Sequence, residues 1–269
     1  MKVIGIAGPT NLYPYQKYFK DKALPKGLGG TVLPPLIEKL IQRGYKVVLF
    51  TLSKDVCKPF SLESECIRIW VAPYRLRHRA RDFFNVERQF LTRIMDLEKE
   101  IDIIHAHWTY EFAMAALSSK KPVLVTAHDA PLSILRYDLT PYRFIRTLMA
   151  YWVSYKAHNL TAVSEYVANH FRKFMGYKGN IYVIPNGMYP LRDTTAKCPQ
   201  TNRPLIFAGV IGGWNKMRNS KTLIKAFNEF LKRYPQSELW LFGPDHGRQE
   251  KAEQWAIRQN FAEKIRFYG

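Results

Sequence analysis

Cysteine is scarce in this 269-residue chain. Cys57, Cys66 and Cys198 form no CxxC pair and an odd number cannot all pair, so reduced thiols are the default reading and a disulfide scaffold is excluded. No apolar run is long enough to span a bilayer; the best stretch, 148–155, is short and closes with Lys156. The first seven residues, with one lysine and a brief apolar run before Gly8-Pro9, read as a β-strand and not as a signal peptide. No tight GxGxxG turn follows that strand. Acidic residues are also few: 22 Asp and Glu against 41 Lys and Arg leave a net charge of +19. A field of that sign attracts phosphates, whether in nucleotide-sugars, nucleic acid or lipid headgroups, and charge alone does not choose among them.

What is present is ordinary for a folded α/β protein. Hydrophobic residues make up 47% and charged residues 23% of the chain. Short β-branched runs alternate with helical periodicity, the pattern of parallel strands joined by crossover helices. Strands are expected at 3–7, 46–51, 67–71, 102–105, 122–127, 159–162 and 181–184. A helix carries Val32, Leu33, Leu36, Ile37, Leu40 and Ile41 on one face and stops at Gly44, and a long helix covers 84–99. The polar, proline-bearing stretch at 190–203 reads as a linker between a first domain at 1–189 and a second at 204–269. The second domain restarts the pattern with strands at 205–208, 238–242 and 264–267 and helices at 220–234 and 249–259. Three strands and two helices are half of a doubly wound domain, so the second domain is expected to be incomplete.

Several motifs could carry chemistry. Gly27-Leu28-Gly29-Gly30-Thr31 precedes the first helix, where glycines let the backbone approach an anion, although glycines also simply make turns. The run 101–108, IDIIHAHW, sends a buried strand into a histidine pair, and sites in open α/β sheets lie beyond the carboxyl ends of strands. His105 and His107 share a face at strand spacing, which would suit a metal pair, but no third ligand is placed by sequence. His105 reads as a hydrogen-bonded core residue and His107, at the strand tip, as functional. A second strand ends in His128-Asp129, which marks either a cleft that handles protons or polyhydroxy ligands, or a capped turn.

The succession GLGGT, DIIHAHW, PVLVTAHD, LTAVSEYV and VIPNGM resembles the family 4 retaining glycosyltransferases of GT-B fold. The motifs appear in the family's order along nearly the whole chain. The resemblance implies two Rossmann-like domains with parallel sheets, the acceptor bound on the first and a nucleotide-sugar on the second, with the cleft between them. It implies transfer of a sugar from a nucleotide-diphosphate donor to a carbohydrate or lipid-linked acceptor with retention, of hexosyltransferase type, as in polysaccharide biosynthesis. Gly29 and Gly30 would lie over the donor diphosphate or the acceptor. His107 would sit beside the transferred sugar and His128 on the acceptor side. Ser164 and Glu165, opening a helix, match the family's turn, and capping explains them equally well.

In the second domain the family supplies an Arg and a Lys to the diphosphate. Val210 stands where the arginine is usual, while Arg218 falls at the lysine position with Lys216 nearby; either cation could offset the charge of the departing diphosphate. Lys221 and Lys225 read as solvated helix surface. Gly243 and Pro244 resemble the loop against which the base packs. The family's paired-glutamate motif is expected beyond Gly269, so this chain alone is expected not to turn over substrate. No metal and no cofactor apart from the donor substrate is expected.

The basic segment 74–84, with Arg75, Arg77, Arg79 and Arg81 interleaved with aromatics, suits contact with an anionic membrane surface or a lipid-linked acceptor, or a solvated loop. No nucleic-acid-binding module accompanies it. A cytoplasmic location follows, with peripheral contact at the inner face of the membrane. The other readings are a sugar-nucleotide epimerase of the same fold and a non-catalytic basic binding protein derived from the enzyme.

Overall fold

The computed structural model describes residues 2–19, 22–189 and 204–269. Cys57 and Cys66 are free thiols, while Cys198 and the expected linker at 190–203 lie outside the described residues. The chain divides into two compact units, Met1–Pro190 and Leu191–Gly269.

The first unit is built on an eight-stranded sheet: β1 (Val3–Ala7), β2 (Lys46–Ser53), β3 (Phe60–Glu63), β4 (Ile67–Pro73), β5 (Ile103–His107), β6 (Val123–Ala127), β7 (Leu160–Ala162) and β8 (Ile181–Val183). Their order is β3-β4-β2-β1-β5-β6-β7-β8. All pairings are parallel except β3 with β4, an antiparallel hairpin at the sheet edge that sequence periodicity did not reveal. The helices are α1 (Leu33–Gln42), α2 (Asn85–Leu97), α3 (Glu111–Ser118), α4 (Pro131–Tyr137), α5 (Pro141–Lys156) and α6 (Glu165–Phe174).

Alternation along the strands sorts side chains to two cores. On β2, Val47 and Leu49 join Ile6, Leu33 and Ile37 on the α1 face, while Val48, Phe50 and Leu52 join Leu91, Phe112, Val153 and Phe171 on the other. Sheets buried on both sides need such near-continuous apolar runs. Pro34 and Pro35 are tolerated because they fall in the first turn of α1, where their missing N–H groups have no helical partner to lose. Ser164 caps α6 by accepting a hydrogen bond from the Val167 N–H at 3.3 Å.

The second unit holds β9 (Ile206–Val210), α7 (Ser220–Leu231), β10 (Glu238–Phe242), α8 (Lys251–Arg258) and β11 (Ile265–Phe267). Its sheet is parallel in the order β11-β10-β9. A core of Ile224, Phe227, Leu239, Leu241, Ala252 and Ala256 lies between the sheet and the helices. β9 is the sheet's edge among the described residues, and Ile206 and Val210 on it are exposed.

The glycine-rich turn before α1 folds back on the loop that leaves β1. The Asn11 N–H donates to the Gly30 carbonyl at 3.2 Å. Gly30 has φ +103°, and a Cβ there would stand 2.8 Å from the Pro9 carbonyl oxygen. Gly29 has φ +77° with open space around it. The two glycines therefore separate experimentally. Gly30→Ala combines a forbidden backbone angle with a backbone clash and is expected to cost roughly 2–3 kcal/mol, whereas Gly29→Ala carries left-handed strain alone, about 1 kcal/mol. Urea denaturation of both variants checks this; equal losses would contradict it.

Candidate functional site

Strand order reverses between β1 and β5: from β1 the chain winds out to β2 and β4, then crosses back to β5 on the opposite side. Loops leaving such a pair diverge and open a crevice beyond the strand ends, where ligands of open α/β sheets bind. Gly8 and His107 occupy those two ends. A Cβ on Gly8 would stand 3.1 Å from His107 Cβ and 2.9 Å from Leu33 Cδ1, so the bare backbone at Gly8 is what leaves room for the imidazole.

The histidines lie on the α1 face of the sheet. Ile104 and Ala106 of β5 point into the opposite core, which leaves His105 and His107 to alternate away from it. Neighbouring strands place Thr126 and Thr161 on the same face. Thr161 Oγ1 and Thr126 Oγ1 are 2.6 Å apart, and Thr126 Oγ1 is 2.6 Å from His105 Nε2. His105 is thus a hydrogen-bonded residue of the sheet. Among the described residues no three His, Cys, Asp or Glu side chains gather as a metal site.

His107 is held differently. Its Nδ1 lies 2.9 Å from His128 Nε2, while its Nε2 is buried with no partner. The His105 and His107 ring centroids are 4.1 Å apart. Both histidines line a cavity of about 530 Å³, shared with Val32, Leu36, Thr126 and Met188. A buried polar atom left unbonded costs free energy, which a ligand group could recover.

Sequence reasoning assigned no role of their own to Trp108, Tyr110 or Arg146. Trp108 follows His107 with φ +63°, a left-handed conformation costly for a bulky residue, and stacks on His128 with centroids 4.0 Å apart and 19° between planes. The Tyr110 hydroxyl donates to Asp129 Oδ1 at 2.9 Å, and the Arg146 guanidinium lies 3.6 Å over the Tyr110 ring. Burial holds the Asp129 carboxyl above the usual range despite Tyr110 and the nearby arginines. No periodicity marks these contacts; only the pairing of β5 with β6 brings the two motif ends together.

In the second unit, Lys216 and Arg218 lie exposed on the loop between β9 and α7. Lys216 lines a cavity of about 370 Å³ with Trp214, Asn215, Asn219, Ser220 and Lys221 at the start of α7. Lys221, read from sequence as plain solvated surface, places Nζ 5.8 Å from the Trp214 ring centroid and 5.7 Å from that of Trp255. Gly243, at φ +110°, passes so close to the Ile211 carbonyl that a Cβ would overlap it. Pro244, exposed, offers its carbonyl oxygen to His246 Nδ1 at 2.9 Å, and buried His246 bonds Ser220 Oγ through Nε2 at 2.9 Å. His246 ties the β10 loop to α7; the string Pro-Asp-His was its only signal.

The four arginines of the basic segment differ in how far they are engaged by neighbours. Arg75 Nη2 pairs with Asp82 at 2.9 Å and with buried Glu87 at 2.6 Å. Arg79 lies 4.6 Å over the Tyr74 ring and donates to the Leu76 carbonyl at 2.6 Å. Asp82, Glu87 on α2 and Tyr74 engage these two side chains, while Arg77 and Arg81 are exposed beside Leu76 and Phe83. No helix among the described residues is long and apolar enough to cross a membrane.

The profile of the family named Glycosyltransferase Family 4 matches residues 30–190, more than half of the chain and the stretch that contains the histidine pair. The chain belongs to this family. No curated protein matches it in sequence. Solved structures share the GT-B fold at low identity. One is an α,α-trehalose-phosphate synthase (UDP-forming) from Burkholderia vietnamiensis: TM-score 0.63, 13% identity, covering 99% of this chain and 73% of that one. Another, titled trehalose-6-phosphate from E. coli bound with UDP-2-fluoro glucose, has TM-score 0.60 and 12% identity over 100% of this chain and 73% of that one. A putative UDP-N-acetylglucosamine 2-epimerase from Listeria monocytogenes has TM-score 0.53 and 12% identity over 100% and 69%. The family 4 chain is thus a glycosyltransferase-type α/β protein.

Its histidines make stability depend on pH. Burial lowers His105 from 6.5 to about 4, and burial with the neighbouring His105 lowers His128 to about 4. His107 is lowered well below its ordinary value, chiefly by burial. The unfolded chain therefore binds more protons than the folded one below about pH 6.5, so stability is full above that pH and is lost as pH falls toward 4. Between pH 7 and 5 the loss from His105 alone is about 2 kcal/mol. Urea midpoints across this range check the slope, and His105→Leu is expected to flatten it; no change in slope would contradict the assignment.

Proposed function

We propose that this chain takes part in transfer of a sugar from a nucleotide-diphosphate donor to a carbohydrate or lipid-linked acceptor, with retention of configuration. The observation that carries the reading is His107, which presents a buried, unpartnered Nε2 where strand order reverses. In this scheme Nε2 orients a hydroxyl of the transferred sugar, a hydrogen bond that can strengthen as charge develops in the transition state. Gly29, with open space at its Cα, and Gly30 belong to the turn that approaches phosphate or acceptor. His128 acts beside His107.

Lys216 and Arg218 offset the charge of the leaving diphosphate, with the start of α7 adding the positive end of a helix dipole. Gly243 and Pro244 border the nucleotide base. Cationic side chains can do the work that a metal does elsewhere, so no cofactor besides the donor is invoked. The membrane reading narrows to Arg77 and Arg81 with Leu76 and Phe83, a small basic and apolar patch fit for peripheral contact with anionic lipid at the cytoplasmic face. The likeness to a putative 2-epimerase keeps a second reading open, in which donor is consumed without acceptor.

Calorimetric titration with UDP-, GDP- and ADP-sugars tests the proposal, with UDP-glucose first because one structural neighbour holds its fluoro analogue. One base is expected to bind. Lys216→Ala with Arg218→Ala should weaken that binding roughly 10- to 100-fold, the worth of one or two charge-assisted contacts. Absence of binding by every member of the panel, from a sample with a cooperative melt, would overturn the reading.

A further inference from the structure

We infer that the solvent face of α5, continued by the end of α6, is a docking surface for an anionic lipid bilayer. The small patch of Leu76, Arg77, Arg81 and Phe83 proposed above joins it at one end. The larger surface stands on different residues, so the two fail separately, and neither depends on sugar transfer.

α5 is apolar on both of its faces. Inward it buries Met149, Ala150 and Val153. Outward it presents Phe144, Leu148, Tyr151 and Tyr155 at the i, i+4, i+7, i+11 spacing of a single stripe, with exposures from 39% to 84%. A helix at a protein surface ordinarily turns charges to water. Here α5 carries no acidic residue, and Arg146, the one charge within the span of the stripe, turns inward to Glu111 at 2.5 Å. The Tyr151 hydroxyl donates to the Phe174 carbonyl at 2.8 Å, which brings exposed Phe174 at the end of α6 beside the stripe. A monomer rarely leaves so continuous an apolar strip without a partner for it.

The charges around the stripe decide what covers it. Lys156 places Nζ 5.7 Å from the Tyr155 ring centroid, and exposed Lys173 adjoins Phe174. At the other end Arg79, 6.0 Å from the Tyr142 ring centroid, ties the basic segment to the first turn of α5. The acids nearby are already paired, Asp138 with Arg143 at 3.0 Å and Glu165 with Arg172 at 3.9 Å. The surface is thus an aromatic strip with a cationic rim, on a chain of net charge +19. A second copy would set like rims against each other in the self-complementary contact that two-fold symmetry requires. An anionic bilayer suits both parts, since tyrosine rings seat at the headgroup level while lysines reach the phosphates.

Co-sedimentation of the whole chain with lipid vesicles tests this. Binding is expected to phosphatidylcholine vesicles that carry about 30% phosphatidylglycerol, and not to phosphatidylcholine alone. Phe144→Gln with Tyr155→Gln, both at exposed positions, should weaken it roughly tenfold or more, and Lys156→Glu with Lys173→Glu by a similar factor. Equal binding to neutral vesicles, or wild-type binding by the Gln variant, would overturn the assignment. Hydroxyl-radical footprinting of the wild type needs no variant to fold: Phe144, Tyr151 and Tyr155 should lose reactivity only when anionic vesicles are added. Protection confined to Leu76 and Phe83 would overturn it, as would a lipid-free dimer in which the α5 rings are already protected. Failure here leaves the nucleotide-sugar reading standing, and failure of the titration leaves this surface standing.

Discussion

A parallel sheet with both faces buried has little room for polar side chains, and the first unit finds that room where β1 and β5 meet. The constraint is topological: strands added outward in both directions from one pair must send their connections apart, which leaves the ends of that pair uncovered. Gly8 and His107 stand at these ends, and the close approach between them depends on Gly8 lacking a side chain. The polar residues His105, Thr126 and Thr161 share the face of His107 and satisfy one another in a short hydrogen-bonded row. One atom on that face, His107 Nε2, is left over.

The large positive charge acts in two ways. Some cations are consumed by the fold itself: Arg75 on Asp82 and Glu87, Arg146 on Glu111, Arg68 on Glu63 and Glu98. Breaking a pair such as Arg75 with buried Glu87 would strand a carboxylate, so these arginines are structural. Others, including Arg77, Arg81, Lys216 and Arg218, remain exposed and give the surface its attraction for anions.

Much of the architecture was legible in the sequence because it rests on local periodicity. The runs at 46–51 and 238–242 and the helix ending before Gly44 fall close to the observed elements. The hairpin strand Phe60–Glu63 was not legible, since a short edge strand with polar outward positions carries little pattern. At the site, alternation along 101–108 put His105 and His107 on one face, and only the place of His107 at the strand tip set it apart. It could not show that His128 bonds His107, because that contact depends on the register of β5 against β6. Nor could composition tell the arginines at 75–81 apart: it counts charges, whereas Asp82 and Glu87 engage Arg75.

The central claim is that His107 Nε2 is left unpaired for a ligand. A crystal structure of the chain with the nucleotide-sugar that binds most tightly tests it directly. The expected result is a sugar oxygen within hydrogen-bond distance of Nε2, with the bond to His128 intact. A fully occupied sugar-nucleotide whose sugar lies elsewhere, with Nε2 still without a partner, would contradict the account.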